Sequence, residues 1–307
     1  MASSNPTGLV HGDTHRANGY LHRRQESGMK RGGVYCCPDC KAPLEDLYCR
    51  ACHSAYPAVE DIPVFLPTAA EFDGALHIAA TYDSIYRRGT RVWESLERDN
   101  KEFVDYFSSL LDRFDGKRIL EIGCGEGFLL AEIKADEKFA IDISTQAIKI
   151  ARTKTQAQFS VALAERLPYA ENYFDLIVSV GVMEHFLDAD KALQEIKRVL
   201  RRGGHYVNLV HVRLTFWNRL AVKISKFFSP YPRPRRWSRA KMASRHKHKQ
   251  PAAIKQPIQN KYTTRSGQAC LERNGFTVID AIHTRKYPGL PLKGPFVVIY
   301  VGKNDDK

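Results

Sequence analysis

The sequence predicts an α/β fold: a doubly wound seven-stranded sheet preceded by a small ribbon built around cysteines. Three observations predict it. Strand-like and helix-like segments alternate from Arg118 onward. A glycine loop, Gly123-Cys124-Gly125-Glu126-Gly127, joins the first of these strands to a helix. Five of the seven cysteines lie between Cys36 and Cys52. The 307 residues are 43% hydrophobic, which supplies a core and excludes global disorder. No apolar run reaches the roughly 18 residues a spanning helix needs. The first 33 residues lack the apolar region of a secretory signal. Both absences predict a cytoplasmic protein.

Residues 1–33 are rich in Gly, Ser, His, Asn and Arg without periodicity and read as a disordered leader. Residues 34–67 hold the cysteines and short β-like runs ending in Ile62-Pro63-Val64-Phe65-Leu66-Pro67. The main domain takes residues 75–307. Its first part, 75–114, reads as helical, with Phe103, Val104, Phe107, Leu110, Leu111 and Phe114 at helical spacing. Strands follow at Arg118–Ile122, Lys138–Ile143, Gln158–Leu163, Phe174–Val180 and His205–Val210. Helices fall between them at Phe128–Lys134, Thr145–Thr155 and Ala189–Leu200. Such alternation argues for a parallel sheet covered by helices. A helix at Thr264–Asn274 and strands at Phe276–Lys286 and Pro295–Val301 complete the domain.

Cys37-x-x-Cys40 and Cys49-x-x-Cys52 are two knuckles separated by eight residues. Four thiolates from two tight turns make a tetrahedral Zn²⁺ site. Four protein ligands leave no open position, so the ion is structural. Binding such a metal is folding free energy, so the ribbon is expected to fold as its own module. On that basis Cys49→Ser unfolds the ribbon and leaves the 118–210 sheet largely folded.

The glycine loop follows the first strand of the alternating region, where doubly wound folds bind ligands. Glycines allow positive φ and let a ligand touch the backbone. The helix N-terminus beyond offers free N–H groups. The next strand ends at Asp142, about 20 residues after Glu121, the spacing of a ribose-binding carboxylate. A dinucleotide fingerprint would have its third glycine where Phe128 stands.

The Gly-x-Gly-x-Gly spacing after an acidic residue resembles motif I of class I S-adenosylmethionine-dependent methyltransferases. Ala140-Ile141-Asp142-Ile143-Ser144 resembles their second-strand motif. Ala164-Glu165-Arg166-Leu167-Pro168-Tyr169 resembles their adenine-side loop, and Asn172–Ile177 their fourth strand. Gly181-Val182-Met183-Glu184-His185-Phe186 stands where the family often has Leu-Glu-His. The resemblance covers about residues 80–210 and resumes at 262–302. It implies a Rossmann-like methyltransferase that binds S-adenosyl-L-methionine. Gly123, Gly125 and Gly127 would lie against its methionine part and Glu121 near its amino end. Asp142 would accept from the ribose hydroxyls, with Ile143 beside it. Ala164 and Glu165 would offer backbone groups to the adenine. The family usually places Asp just before that Ala-Glu pair; here the residue is Leu163. Asp142 has a competing reading as a helix N-cap, with Ser144 its rival for that role. His185, just past the fourth strand, is the candidate general base. Glu184, Tyr82, Tyr86 and His211 are secondary candidates. Thr81–Tyr86 resembles the helix that lids the cofactor in this family.

The net charge is +13, and it is concentrated. From Ile196 to Leu271 there are nineteen Lys and Arg and no Asp or Glu, so the rest of the chain is net negative. Within an insert at about 211–262, Leu214, Trp217, Leu220, Ala221, Ile224 and Phe228 recur at helical spacing. A basic helix with such a face suits an anionic membrane surface. The insert's position resembles that of ubiquinone- and glycan-pathway O-methyltransferases, which implies a small-molecule or lipid-linked acceptor and peripheral membrane association. RNA is the alternative partner. A zinc ribbon ahead of a methyltransferase domain resembles a ribosomal-RNA guanine methyltransferase group, and the charge suits phosphate. A non-catalytic adaptor that keeps the fold is the third reading, separated from an enzyme by equilibrium binding of the cofactor.

Overall fold

The structure is a computed structural model that describes residues 34–67, 74–87, 101–114, 116–212, 257–283 and 296–305. All of these belong to one compact unit, Gly32–Lys307. The expected leader and all but the ends of the basic insert lie outside the described residues.

Two short strands, β1 (Ala58–Val59) and β2 (Ile62–Pro63), pair antiparallel within the ribbon. Helices α1 (Ala75–Arg87) and α2 (Lys101–Leu111) follow. In α1 the buried residues are Ala75, Ile78 and Ala79, one helical face. In α2, Phe107, Leu110 and Leu111 are buried at the same kind of spacing. The sheet then forms from β3 (Arg118–Ile122), β4 (Glu137–Asp142), β5 (Gln158–Val161), β6 (Phe174–Val180), β7 (Leu200–Val212), β8 (Thr277–His283) and β9 (Phe296–Lys303). Helices α3 (Phe128–Glu132), α4 (Thr145–Ala151), α5 (Ala189–Val199) and α6 (Thr264–Arg273) connect or cover these strands.

The strand order is β5-β4-β3-β6-β7-β9-β8. The first five strands are mutually parallel, as the alternation predicts. β9 departs from it, running antiparallel to both β7 and β8. The residues that join β8 to β9 lie outside the described ones, and the antiparallel pairing is read from the register itself. β7 extends beyond the expected His205–Val210 at both ends: Leu200 pairs with Phe174 of β6, and β9 pairs with it through Val212.

The centre of the sheet is apolar on both faces. Leu120, Ile177, Val178 and Val207 are fully buried, which is why these strands read as apolar runs. Polar caps fix the ends of the helices. Ser144 accepts the Ala147 N–H at the start of α4, and Asp188 accepts the N–H groups of Asp190 and Lys191 at the start of α5. Ser144 is therefore the cap, and Asp142 is left for another role. Thr263 and Ser266 form a reciprocal capping box at α6.

The ribbon packs on the β5 edge. The Phe65 N–H donates to the Val161 carbonyl at 2.8 Å, extending the sheet by one bridge. Tyr35, Cys37, Leu44, Cys49 and Phe65 share one apolar cluster with Ala162, Ala164, Leu167 and Tyr169. Among the described residues no helix is long and apolar enough to cross a membrane.

Candidate functional site

A cavity of about 760 Å³ opens at the C-terminal ends of β3, β4 and β6. This is where the strand order reverses, the place open α/β sheets keep for ligands. Its size suits a cofactor together with a small second molecule.

The glycine loop forms one wall. Gly123 has φ +68°, and a Cβ there would lie 2.5 Å from a Val182 methyl. Gly125 has φ +52°, and a Cβ there would lie 3.1 Å from the Tyr86 hydroxyl. Side chains would fill the cradle in both places. Gly127 behaves differently from the sequence expectation. It does not line the cavity, and its Cβ would lie 2.9 Å from that of Ala151. Its absence of a side chain lets α3 approach α4.

Asp142 is 7% exposed and pins the loop. One carboxylate oxygen accepts the Gly125 N–H at 2.9 Å, the other the Ser144 N–H at 2.8 Å. Burial pushes its carboxyl up to about 6, against the pull of these two donors. Glu121 is 3% exposed, and its Oε2 has no hydrogen-bond partner. Burial, with the Asp142 carboxylate next in effect, pushes Glu121 up to about 8. A buried polar atom without a partner on a cavity wall leaves a hydrogen bond open to a ligand or a water.

Glu121 therefore has a pH signature. Its folded pKa lies above the usual 4.5, so the fold favours the protonated form. The stability this contributes is fully present below about pH 4.5 and is lost as pH rises through about 8. Between about pH 5 and pH 9, wild-type unfolding free energy is expected to fall by up to about 5 kcal/mol more than that of Glu121→Gln. Urea titrations of both ligand-free proteins across that range check this; parallel curves would refute it.

Ile143, Ala164, Glu165 and His185 also line the cavity, as the sequence predicts. Glu165 spends its side chain on the loop that follows β6, accepting the Leu187 N–H at 2.7 Å and the Asp188 N–H at 3.2 Å. Leu163, where an Asp is usual, is buried. His185 is held by its Nδ1, 2.6 Å from the Ile258 carbonyl, with its ring edge-on to Tyr82. Glu184 and His211 are brought together: Glu184 Oε1 accepts from both the Nδ1 and, at 3.0 Å, the backbone N–H of His211.

Two contributions escape the sequence reading. Asp83 of α1 accepts from the Ser144 hydroxyl at 2.6 Å and the Gln146 N–H at 3.1 Å, docking α1 over the cavity. Asn260, at the far end of the insert, donates its N–H to the Glu184 carbonyl at 2.7 Å and its amide to the Phe186 carbonyl at 2.8 Å. No local periodicity signals either.

The cysteines form a second site. The sulfurs of Cys37, Cys40, Cys49 and Cys52 all lie within 4.8 Å of one another, and the cysteines are free thiols. The Cys37–Cys52, Cys40–Cys49 and Cys40–Cys52 distances are 3.6, 3.4 and 3.7 Å. A tetrahedral ion with metal–sulfur bonds of about 2.3 Å needs edges of about 3.8 Å, so the set fits one ion. The hydroxyls of Tyr56 and Ser54 sit 3.1 and 3.2 Å from Cys37 and Cys52, an outer shell for thiolates.

The sequence profile of a family described as "Methyltransferase domain" matches residues 120–208. The ubiquinone/menaquinone biosynthesis C-methyltransferase UbiE of Edwardsiella ictaluri is 33% identical over 128 residues, 38% of this chain and 49% of its own length. The chain spans about half or less of the length of curated relatives such as this one. An S-adenosylmethionine-dependent methyltransferase of Thermotoga maritima shares the fold, with a TM-score of 0.51 and 19% identity over 75% of this chain and 100% of its own. So does a chain from the complex of the Haloferax volcanii Trm112 methyltransferase activator, with a TM-score of 0.52 and 14% identity over 75% of this chain and 98% of that one. Residues 120–208 thus match a methyltransferase-domain profile, and the seven-stranded sheet that contains them has the fold of a solved S-adenosylmethionine-dependent methyltransferase.

Proposed function

We propose that this chain transfers a methyl group from S-adenosylmethionine to an oxygen of a small-molecule or lipid-linked acceptor, polyprenyl or glycan, at a membrane surface. The observation that carries the cofactor is the orphaned Glu121 carboxylate beside the Asp142-pinned glycine cradle. Glu121 would meet the ammonium group, Asp142 the ribose hydroxyls, and the backbone of Ala164 and Glu165 the adenine. Bound there, the cofactor supplies an electrophilic methyl group on a sulfonium. The chain itself contributes placement and exclusion of water, with α1 over the cavity. The ribbon sulfurs would hold a structural Zn²⁺. Membrane association rests on the acid-free span Ile196–Leu271 and its apolar stripe. That span alone also suits RNA.

Calorimetry with S-adenosylmethionine tests the reading. Near pH 7 Glu121 is largely protonated, and an ammonium beside it would ionise it. Binding is therefore expected to release up to about one proton, seen as a heat that varies with buffer ionisation enthalpy. Glu121→Gln should bind without that release. Methyl-labelled cofactor incubated with cell extract should then label the lipid or small-molecule fraction. Label in RNA would move the acceptor class, and absence of binding by the wild-type chain would leave the adaptor reading.

A further inference from the structure

Three polar side chains on the cavity wall are not used by the cofactor contacts above. Glu184 has a side chain 4% exposed, and its Oε2 has no hydrogen-bond partner. Tyr82 has a buried hydroxyl, also without a partner, and burial pushes it up to about 12. His211 points its Nδ1 at Glu184 Oε1. That oxygen also accepts the His211 backbone N–H, so the carboxylate is the acceptor and Nδ1 is the donor. In the neutral ring Nε2 is then the lone-pair nitrogen.

Charge narrows what fits beside them. The described residues lining the cavity include seven carboxylates, from Asp105 to Glu184, and no Lys or Arg. The chain as a whole is strongly basic, so this lining runs against its composition. Acidic groups without a compensating Lys or Arg suit a cationic methyl donor and disfavour an anionic acceptor, even where burial keeps one of them, Glu121, protonated until a cation binds.

We propose that Glu184, His211 and Tyr82 form the acceptor subsite, and that it takes a neutral molecule bearing a weakly acidic aryl or enolic hydroxyl. The inference rests on the methyltransferase reading above. The acceptor O–H bond breaks, its proton joins His211 Nε2, and the electron pair stays on oxygen as the nucleophile. Glu184 compensates the imidazolium that results. An aryl hydroxyl, with a pKa of about 10, gives up its proton to an imidazole far more readily than an unactivated alcohol does. His185 has a neutral carbonyl, that of Ile258, behind its Nδ1, and so lacks a carboxylate to face an imidazolium. The Tyr82 hydroxyl donates to the oxygen that becomes negative.

The test uses the full chain saturated with sinefungin, which carries an amine where the methyl donor carries its sulfonium. 4-Nitrophenol at about pH 6, where it is mostly un-ionised in solution, is the neutral aryl hydroxyl probe, and its phenolate absorbs visible light. 4-Hydroxybenzoate is the anionic counterpart. The phenol is expected to bind saturably, with its absorbance shifted toward phenolate, and at least about tenfold more tightly than the benzoate. Glu184→Gln and His211→Asn should each erase the absorbance shift and weaken phenol binding roughly tenfold, with sinefungin affinity retained. Four results would overturn the subsite: no phenol binding, equal binding of the benzoate, an unaltered shift in His211→Asn, or a shift lost only in His185→Asn. Failure of the wild-type chain to bind sinefungin would instead remove the methyltransferase reading itself.

Discussion

Asp142→Ala is expected to weaken S-adenosylmethionine binding by about 1–3 kcal/mol for the unmatched ribose hydroxyls alone, roughly 5- to 150-fold. The structure adds a second loss. Asp142 accepts the backbone N–H groups of Gly125 and Ser144, one on each oxygen. Alanine leaves both donors unpartnered at the mouth of the cavity and releases the loop from the end of β4. The combined effect should reach the upper end of that range or exceed it. Asp142→Asn separates the two terms. Its amide oxygen can hold one N–H, but its NH₂ faces the other donor, so affinity should fall part of the way. Calorimetry on the three proteins at fixed pH measures both steps. The fold itself should survive, because the strands beneath the loop are held by their own ladders. An alanine variant that binds as tightly as wild type would show that Asp142 faces the loop and not the cofactor.

Much of this site was legible in the residues. Arg118–Ile122 and Phe174–Val180 coincide with the strands found, because central parallel strands are buried on both faces and read as apolar runs bounded by turns. The spacing of Gly123, Gly125 and Asp142 pointed to the cavity wall on which they stand. Direction was not legible: the apolar pattern of Phe296–Val301 is the same whether the strand runs parallel or antiparallel. Gly127 looked like its two neighbours in the loop, and only the helix behind it shows that Ala151 is what demands a glycine. Asp83 makes hydrogen bonds 61 and 63 residues away in sequence, which no local period reports. The pairing of Glu184 with His211 was within reach. Glu184 follows β6 and His211 lies near the end of β7, and adjacent parallel strands bring their C-terminal ends together. Sequence reading weighed these two residues singly and set His185 above them. The acceptor subsite proposed above takes the other order, because a carboxylate faces His211 Nδ1 and a carbonyl faces His185 Nδ1.

If the four cysteines hold a metal as proposed, removing it is expected to damage the cavity beside β3, β4 and β6 as well as the ribbon. This departs from the independent module that the cysteine spacing alone suggests, and the contacts say why. The Cys36 N–H donates to the Pro168 carbonyl at 3.1 Å. Asp39, inside the first knuckle, pairs with Arg166. Lys41 pairs at 2.7 Å with Glu195, whose carboxylate also accepts the Leu167 N–H at 2.9 Å. All of these converge on residues 164–169, continuous with Ala162, Leu163, Ala164 and Glu165 on the cavity wall. Without the ion, four thiols in two tight turns lose the ligation that folds such ribbons. The adenine-side wall then loses its outer support and part of a shared apolar cluster. Chelation, or Cys49→Ser, should therefore lower S-adenosylmethionine affinity at least about tenfold and lower the unfolding temperature of the whole unit in one transition. Asp39→Asn, which keeps the sulfurs and removes one ion pair, should give a smaller loss of affinity with metal content unchanged. Calorimetry, elemental analysis and thermal unfolding on the same preparations check all three. A metal-free protein that binds the cofactor normally, or whose ribbon melts in a separate step while the sheet transition stays put, would restore the independent module.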